Sequence, residues 1–145
     1  MKLKQLSVFL ENKPGRLTVP CRALADAGVN ILTLSLADTQ QFGILRLIVR
    51  DWQGARAILE QVGCVVNVTE VVAVEIADRP GGIAQVLDVL EQLGLNVEYV
   101  YAFAFRRKDR AILVFRFDDP DAAVEALQSR GVSVIGNEEL YARMG

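Results

Sequence analysis

The sequence predicts an α+β fold made of two successive βαββαβ units. Three observations predict it: a repeat spanning almost the whole chain, a hydrophobic period that changes in the same order in each copy, and glycines where helical stretches end. The segments NKPGRLTVPCRALADAGVNI and DRPGGIAQVLDVLEQLGLNV align without a gap. At the same offset Val8, Pro14, Gly15, Leu24, Gly28 and Asn30 meet Val74, Pro80, Gly81, Leu90, Gly94 and Asn96. From Ile44 and Ile112 on, the offset grows by two residues, so the second copy has the longer hairpin. The copies divide the chain at 1–70 and 71–145, with no Gly-, Ser- or Pro-rich linker between them.

The elements follow in order. Leu6, Val8 and Leu10 alternate with Ser7, Phe9 and Glu11, the pattern of a strand with one buried face. A turn over Asn12 to Gly15 comes next, with Pro14 fixing φ and Gly15 free to adopt conformations closed to other residues. Leu17, Cys21 and Leu24 mark a helical face, and Gly28 stops that helix. Ile31 to Ala37 and Ile44 to Arg50 read as a hairpin around DTQQFG. Asp51 is an N-cap for a helix carrying Ala55, Ile58, Leu59 and Val62, closed by Gly63 before a strand over Cys64 to Val68.

The second copy predicts strands over Val72 to Ala77, Val97 to Phe105, Ala111 to Phe117 and Val132 to Ile135. Its helices run over Gly82 to Leu93 and Pro120 to Arg130, with Asp119 and Pro120 as an N-cap and N1 pair. A split βαβ unit of this kind is ferredoxin-like, with antiparallel sheets and the helices on one face.

Composition narrows the function classes. A hydrophobic fraction of 52% with four prolines excludes disorder, and a formal charge of -2 supplies no field for nucleic acid or an anionic membrane. There is no histidine, so Ser/His and Cys/His triads and most zinc sites are excluded. Cys21 and Cys64 read as buried free thiols. No apolar run is long enough to span a bilayer, and MKLKQLSVFLEN lacks the pattern of a signal peptide, which leads to the expectation of a cytoplasmic protein.

Each first-strand-to-helix junction aims a glycine turn at a helix start, where backbone N–H groups lack partners and the dipole is positive. Such a place suits a carboxylate. The residues are Asn12, Lys13, Pro14, Gly15, Arg16 and Leu17 in copy one, and Asp78, Arg79, Pro80, Gly81, Gly82 and Ile83 in copy two.

The βαββαβ order, the duplication and the "xPGxL" and "xPGxI" turns followed by "GVNI" and "GLNV" resemble the ACT domain family over nearly the full chain. The resemblance implies an amino-acid-binding regulatory protein, with a ligand at the interface between ACT modules, no cofactor and no catalytic residue. It implies main-chain contacts around Gly15 to Leu17 and Gly81 to Ile83, with Asn12 or Asp78 available to a ligand ammonium. Asn30 and Asn96 would add amides, which can donate to a carboxylate and accept from an ammonium, or they hold the turn after Gly28 and Gly94. Arg16 matches Gly82 and Asn12 matches Asp78, so the two sites are unequal. An enzyme under its control would be a separate protein, which leaves a free-standing sensor or a non-catalytic regulatory subunit of an amino-acid biosynthetic enzyme; an enzyme of the same fold is a further alternative.

Tyr99, Tyr101, Phe103 and Phe105 fall on one face of their strand beside Arg106, Arg107, Lys108 and Arg110. Aromatics beside cations can stack single-stranded nucleic acid, but a solvated hairpin tip and an acidic chain favour a packing surface, and with it a homodimer. Asp118, Asp119 and Asp121 read as acids on a helix N-terminal dipole rather than metal ligands.

Overall fold

The computed structural model describes residues 1–38 and 41–143, without the side chains of residues 38 and 105–107. Its elements run β1 (Leu3–Glu11), α1 (Thr18–Asp26), β2 (Thr33–Asp38), β3 (Phe42–Ile48), α2 (Trp52–Gln61), β4 (Val65–Ala77), α3 (Gly82–Gln92), β5 (Val97–Arg107), β6 (Arg110–Phe117), α4 (Pro120–Ser129), β7 (Ser133–Ile135) and α5 (Asn137–Arg143). They form two compact units: Lys4–Thr69, and the chain from Glu70 onward with Met1–Leu3.

In the first unit β1 pairs antiparallel with β3, Leu6 opposite Leu47 and Val8 opposite Leu45, while β2 lies on the far side of β3. The register puts Leu6, Val8, Leu45 and Leu47 on one face, where Leu24 of α1 and Ala55 and Leu59 of α2 cover them. In the second unit β6 stands between β4 and β5, and β7 pairs with β4. Val72, Val74, Leu113, Phe115 and Phe117 share the face covered by Val86 and Leu90 of α3 and Ala123 and Leu127 of α4. Each large apolar side chain withdrawn from water this way contributes about 1.5–3 kcal/mol, so these two faces hold the units together.

Helix ends follow the local chemistry of the sequence. Asp51 accepts a hydrogen bond from the Gly54 N–H at 3.0 Å, and Asp119 accepts one from the Ala122 N–H at 3.1 Å. Pro120 occupies the first helical turn behind that cap. Gly28, Gly63, Gly94 and Gly131 are all left-handed. At each, the glycine N–H and the following N–H reach back to carbonyls of the last turn, as with Gly28 to Ala25 and Val29 to Leu24.

The structure departs from expectation in several places, each with a physical reason. The strands expected at Cys64 to Val68 and Val72 to Ala77 are one strand, β4, since Thr69, Glu70 and Val71 supply no turn residue. Helix α1 buries Leu24 as its period predicts, but beside it Pro20 rather than the rest of the row, since Leu17 is 40% exposed and Cys21 half-buried. Cys21 and Cys64 are free but only half-buried, and desolvation pushes both thiols up from their ordinary value. Helix α5 has no counterpart in the first copy: at the offset of the second half Glu138 aligns with Glu70, but Glu138 lies in α5 and Glu70 in β4, so the repeat ends before them.

In the aromatic strand Tyr99 and Tyr101 share a face as expected, and Phe103 is what departs. A register shift between Val97 and Tyr99 sends Val97 toward the helix-covered core and sets Tyr99 and Tyr101 opposite Arg116 and Val114, on the other face. Phe103 is 4% exposed within one chain, so it is not a bare surface waiting for a second copy. The side chains of Phe105, Arg106 and Arg107 lie outside the described residues.

Candidate functional site

The two strand-to-helix turns carry the same hydrogen bonds. In the first unit the Asn12 N–H donates to Gln41, Lys13 to Glu11, Arg16 to Lys13 and Val19 to Gly15, all onto main-chain carbonyls at 2.9–3.3 Å. In the second, Asp78 donates to Asp109, Arg79 to Ala77, Gly82 to Arg79 and Gln85 to Gly81, at 2.6–3.0 Å. Gly15 and Gly81 hold φ of 86° and 87°, a region that β-branched and bulky side chains avoid.

Beyond that shared frame the turns diverge. Helix α3 begins at Gly82, whereas α1 begins at Thr18, two positions later in the repeat. Pro20 accounts for the delay: it has no N–H to donate to Arg16, the bond that would extend the helix back. Gly82 is buried, and a Cβ built on it would collide with the Ala77 carbonyl oxygen. Arg16, its counterpart, sits on an exposed turn with room for a side chain.

The expected ligand residues fall into place as follows. Asn12, Gly15, Arg16 and Leu17 are exposed around the first turn. Gly81 and Ile83 are exposed and Asp78 is half-buried around the second, leaving Gly82 as the one buried member. Asn30 and Asn96 are exposed in the segments leading to β2 and β5. The helix-end bonds beside them are made by Val29 and Leu95 main chain, so the asparagine side chains do not make those bonds.

Two cavities that sequence reasoning missed recur at matching positions, between the end of the first strand of each unit, its first helix and the glycine turn after its second helix. The first is lined by Glu11, Arg16, Pro20, Gly63 and Cys64 among others, and the second by Ala77, Gly82, Val86, Gly131 and Val132. The signal was the repeat itself, because the lining positions align. At the second, Glu75 is ion-paired with Arg110 at 3.3 Å and with Arg143 of α5. Burial would raise the Glu75 carboxyl, but the two guanidinium groups outweigh it and hold its pKa below the ordinary value. Among the described residues there is no grouping of His, Cys, Asp and Glu able to hold a metal ion, and no helix long and apolar enough to cross a membrane.

Paired ferredoxin-like units with a left-handed glycine ahead of each first helix define a tandem ACT architecture. The chain belongs to the ACT domain pair family, which matches residues 1–144. ACT domain pairs are regulatory domains, typically non-catalytic. Protein BT0572 from Bacteroides thetaiotaomicron is similar in structure at 38% identity, with 97% of this chain and 96% of that one covered and a TM-score of 0.90. The regulatory subunit of aspartate kinase from Thermus flavus shares the fold at 18% identity, over 87% of this chain and 90% of that one, TM-score 0.61. So does E. coli aspartokinase III in complex with lysine and aspartate, at 18% identity and TM-score 0.56, over 90% of this chain and 31% of that one. No curated protein matches the chain.

Proposed function

We propose that this protein is a non-catalytic sensor that binds a free α-amino acid at its strand-to-helix turns. The observation that carries the reading is the turn itself, built twice with the same four main-chain hydrogen bonds and a left-handed glycine before the helix. A ligand carboxylate would sit on the N–H groups at the starts of α1 and α3, around Gly15 to Leu17 and Gly81 to Ile83. Asn12 or Asp78 would meet the ammonium, and Asn30 or Asn96 would supply an amide. Family membership supports a small ligand of this class.

A second reading makes the chain the regulatory subunit of a separate amino-acid biosynthetic enzyme, supported by its likeness in fold and extent to the Thermus flavus aspartate kinase regulatory subunit. Both readings place the protein in the cytoplasm and as a homodimer. The deciding experiment is a thermal-shift screen of the isolated chain against the common amino acids, followed by calorimetry. Saturable binding that weakens about tenfold in Asn30→Ala or Asn96→Ala supports the sensor. Binding unchanged in both variants and in Gly15→Val and Gly81→Val puts the ligand elsewhere.

A further inference from the structure

The recurring cavity differs between the units in a way that the fold does not require. In the first unit Phe9, Val19 and Val65 line it, and Arg16 reaches into the place that Gly82 leaves clear in the second. In the second unit the matching positions are Glu75, Gln85 and Ser133, joined by Arg79 and Arg110. Arg110 in turn replaces Phe42 of the first copy. Both cavities hold an acid and an arginine, Glu11 and Arg16 in the first, but the second has two arginines and adds Gln85 and Ser133, around a cavity of about 280 Å³ whose remaining wall is aliphatic: Ile76, Val86, Val89 and Val132.

We propose that this second-unit cavity binds a small aliphatic carboxylate, with Arg79 and Arg110 taking the carboxylate and the valine wall taking the hydrocarbon. The charge favours an anion, because Arg79 and Arg110 line the cavity against Glu75 as its one acid, and Glu75 is also paired with Arg143 of α5. Arginine suits the task, since its planar fork matches a carboxylate. The main chain adds a donor. Asp78 N–H bonds to the Asp109 carbonyl on the β6 side, so by strand alternation the Ala77 N–H points the other way, past the last β4–β7 pair at Glu75 and Ser133.

This inference does not rest on the amino-acid reading of the turns: the cavity shares Arg79 and Gly82 with the second turn, but its second arginine and its apolar wall come from Arg110, β4, α3 and the segment after α4, and it concerns any small acid of this class. The probes are isovalerate, its neutral isostere isovaleramide, and L-leucine, followed by methyl chemical shifts of Val86, Val89 and Val132 in the full chain. Isovalerate should shift these signals saturably and isovaleramide should not. Arg79→Gln, at an exposed position, should weaken isovalerate about tenfold, while Asn96→Ala and Arg16→Gln should leave it unchanged. L-leucine competing with isovalerate identifies an amino acid as the natural class, and no competition identifies an acid lacking the ammonium. Absence of a saturable shift, equal response to isovaleramide, or indifference to both Arg79→Gln and Arg110→Gln overturns the proposal. Failure here with amino-acid binding still sensitive to Asn96→Ala would leave the turn site standing.

Discussion

Gly82 at the start of α3 packs against Ala77 at the end of β4 so closely that only a hydrogen fits between its Cα and the Ala77 carbonyl. Backbone, unlike a side chain, cannot rotate away. Gly82→Ala is therefore expected to destabilise the second unit by roughly 2 kcal/mol or more, as overpacking does. Chemical denaturation measures it, and a change below a few tenths of a kcal/mol would show that the strand end shifts freely. Arg16→Ala, at the matching position, should be close to neutral.

Gly54 gives the opposite sign. A Cβ there meets only the carboxylate of Asp51, the cap of α2, and the repeat shows the remedy: Ala122 occupies the equivalent place while Asp119 still accepts from its N–H. Asp51 can move as Asp119 has. Gly54→Ala should then stabilise by about 0.5–1 kcal/mol, the helix preference of alanine over glycine. Loss of stability would mean that Asp51 lacks the freedom of its repeat mate. Asp51→Ala should cost about 1 kcal/mol in the same assay.

Much of this architecture was legible in the sequence, because glycines ending helices and aspartates starting them act through local geometry. Gly28, Gly63, Gly94 and Gly131, with Asp51 and Asp119, mark their helix ends correctly. Period alone misled where tertiary context decides. Leu17 and Cys21 repeat at helical spacing with Leu24, yet of the three only Leu24 is buried, and Pro20 joins it. In β5 the period holds for Tyr99 and Tyr101, which share a face, but it could not show that Phe103 is buried within one chain. Helix α5 was missed because it is short and has no repeat mate, and because what fixes it is long-range: Leu140 is fully buried and Arg143 reaches back to Glu75. The recurring cavities are long-range too: the repeat shows that their lining positions align, but not that those three separated segments meet.

The Glu75 cluster sets a pH dependence. Its carboxyl is held below the ordinary value of 4.5 in the folded chain, so the unfolded state takes up the proton first as pH falls. The stabilisation is present above about pH 4.5 and is lost as pH drops through the folded-state value. Glu75→Gln should destabilise by about 1–3 kcal/mol at neutral pH, and the difference from wild type should shrink toward pH 3. Thermal unfolding across that range checks it. A gap that stays constant with pH would mean that Glu75 contributes by packing alone.

The last prediction concerns assembly. β2 stands at an edge of the first unit's sheet and β5 at an edge of the second's, and on the helix side of each, apolar side chains are left uncovered: Leu34 and Leu36 are 48% and 47% exposed, and Val100 is 39% exposed. The register shows why the helices miss them, since Leu34 and Leu36 lie opposite Leu47 and Leu45 but one strand further out than the core that α1 and α2 cover. An open edge with apolar side chains is a template for another strand, and natural chains ordinarily protect such edges with charge. A second copy of this chain brings a matching edge, because the internal repeat gives β2 and β5 the same place in their units. The homodimer is accordingly expected through these edges rather than through the Tyr99 and Tyr101 face. Sedimentation should find a dimer at micromolar concentration, and Leu34→Lys with Leu36→Lys, or Val100→Lys, should shift it toward monomer without lowering unfolding stability measured on the monomer. Wild-type protein that sediments as a monomer, or a dimer indifferent to lysines on both edges, would rule out this mode of assembly.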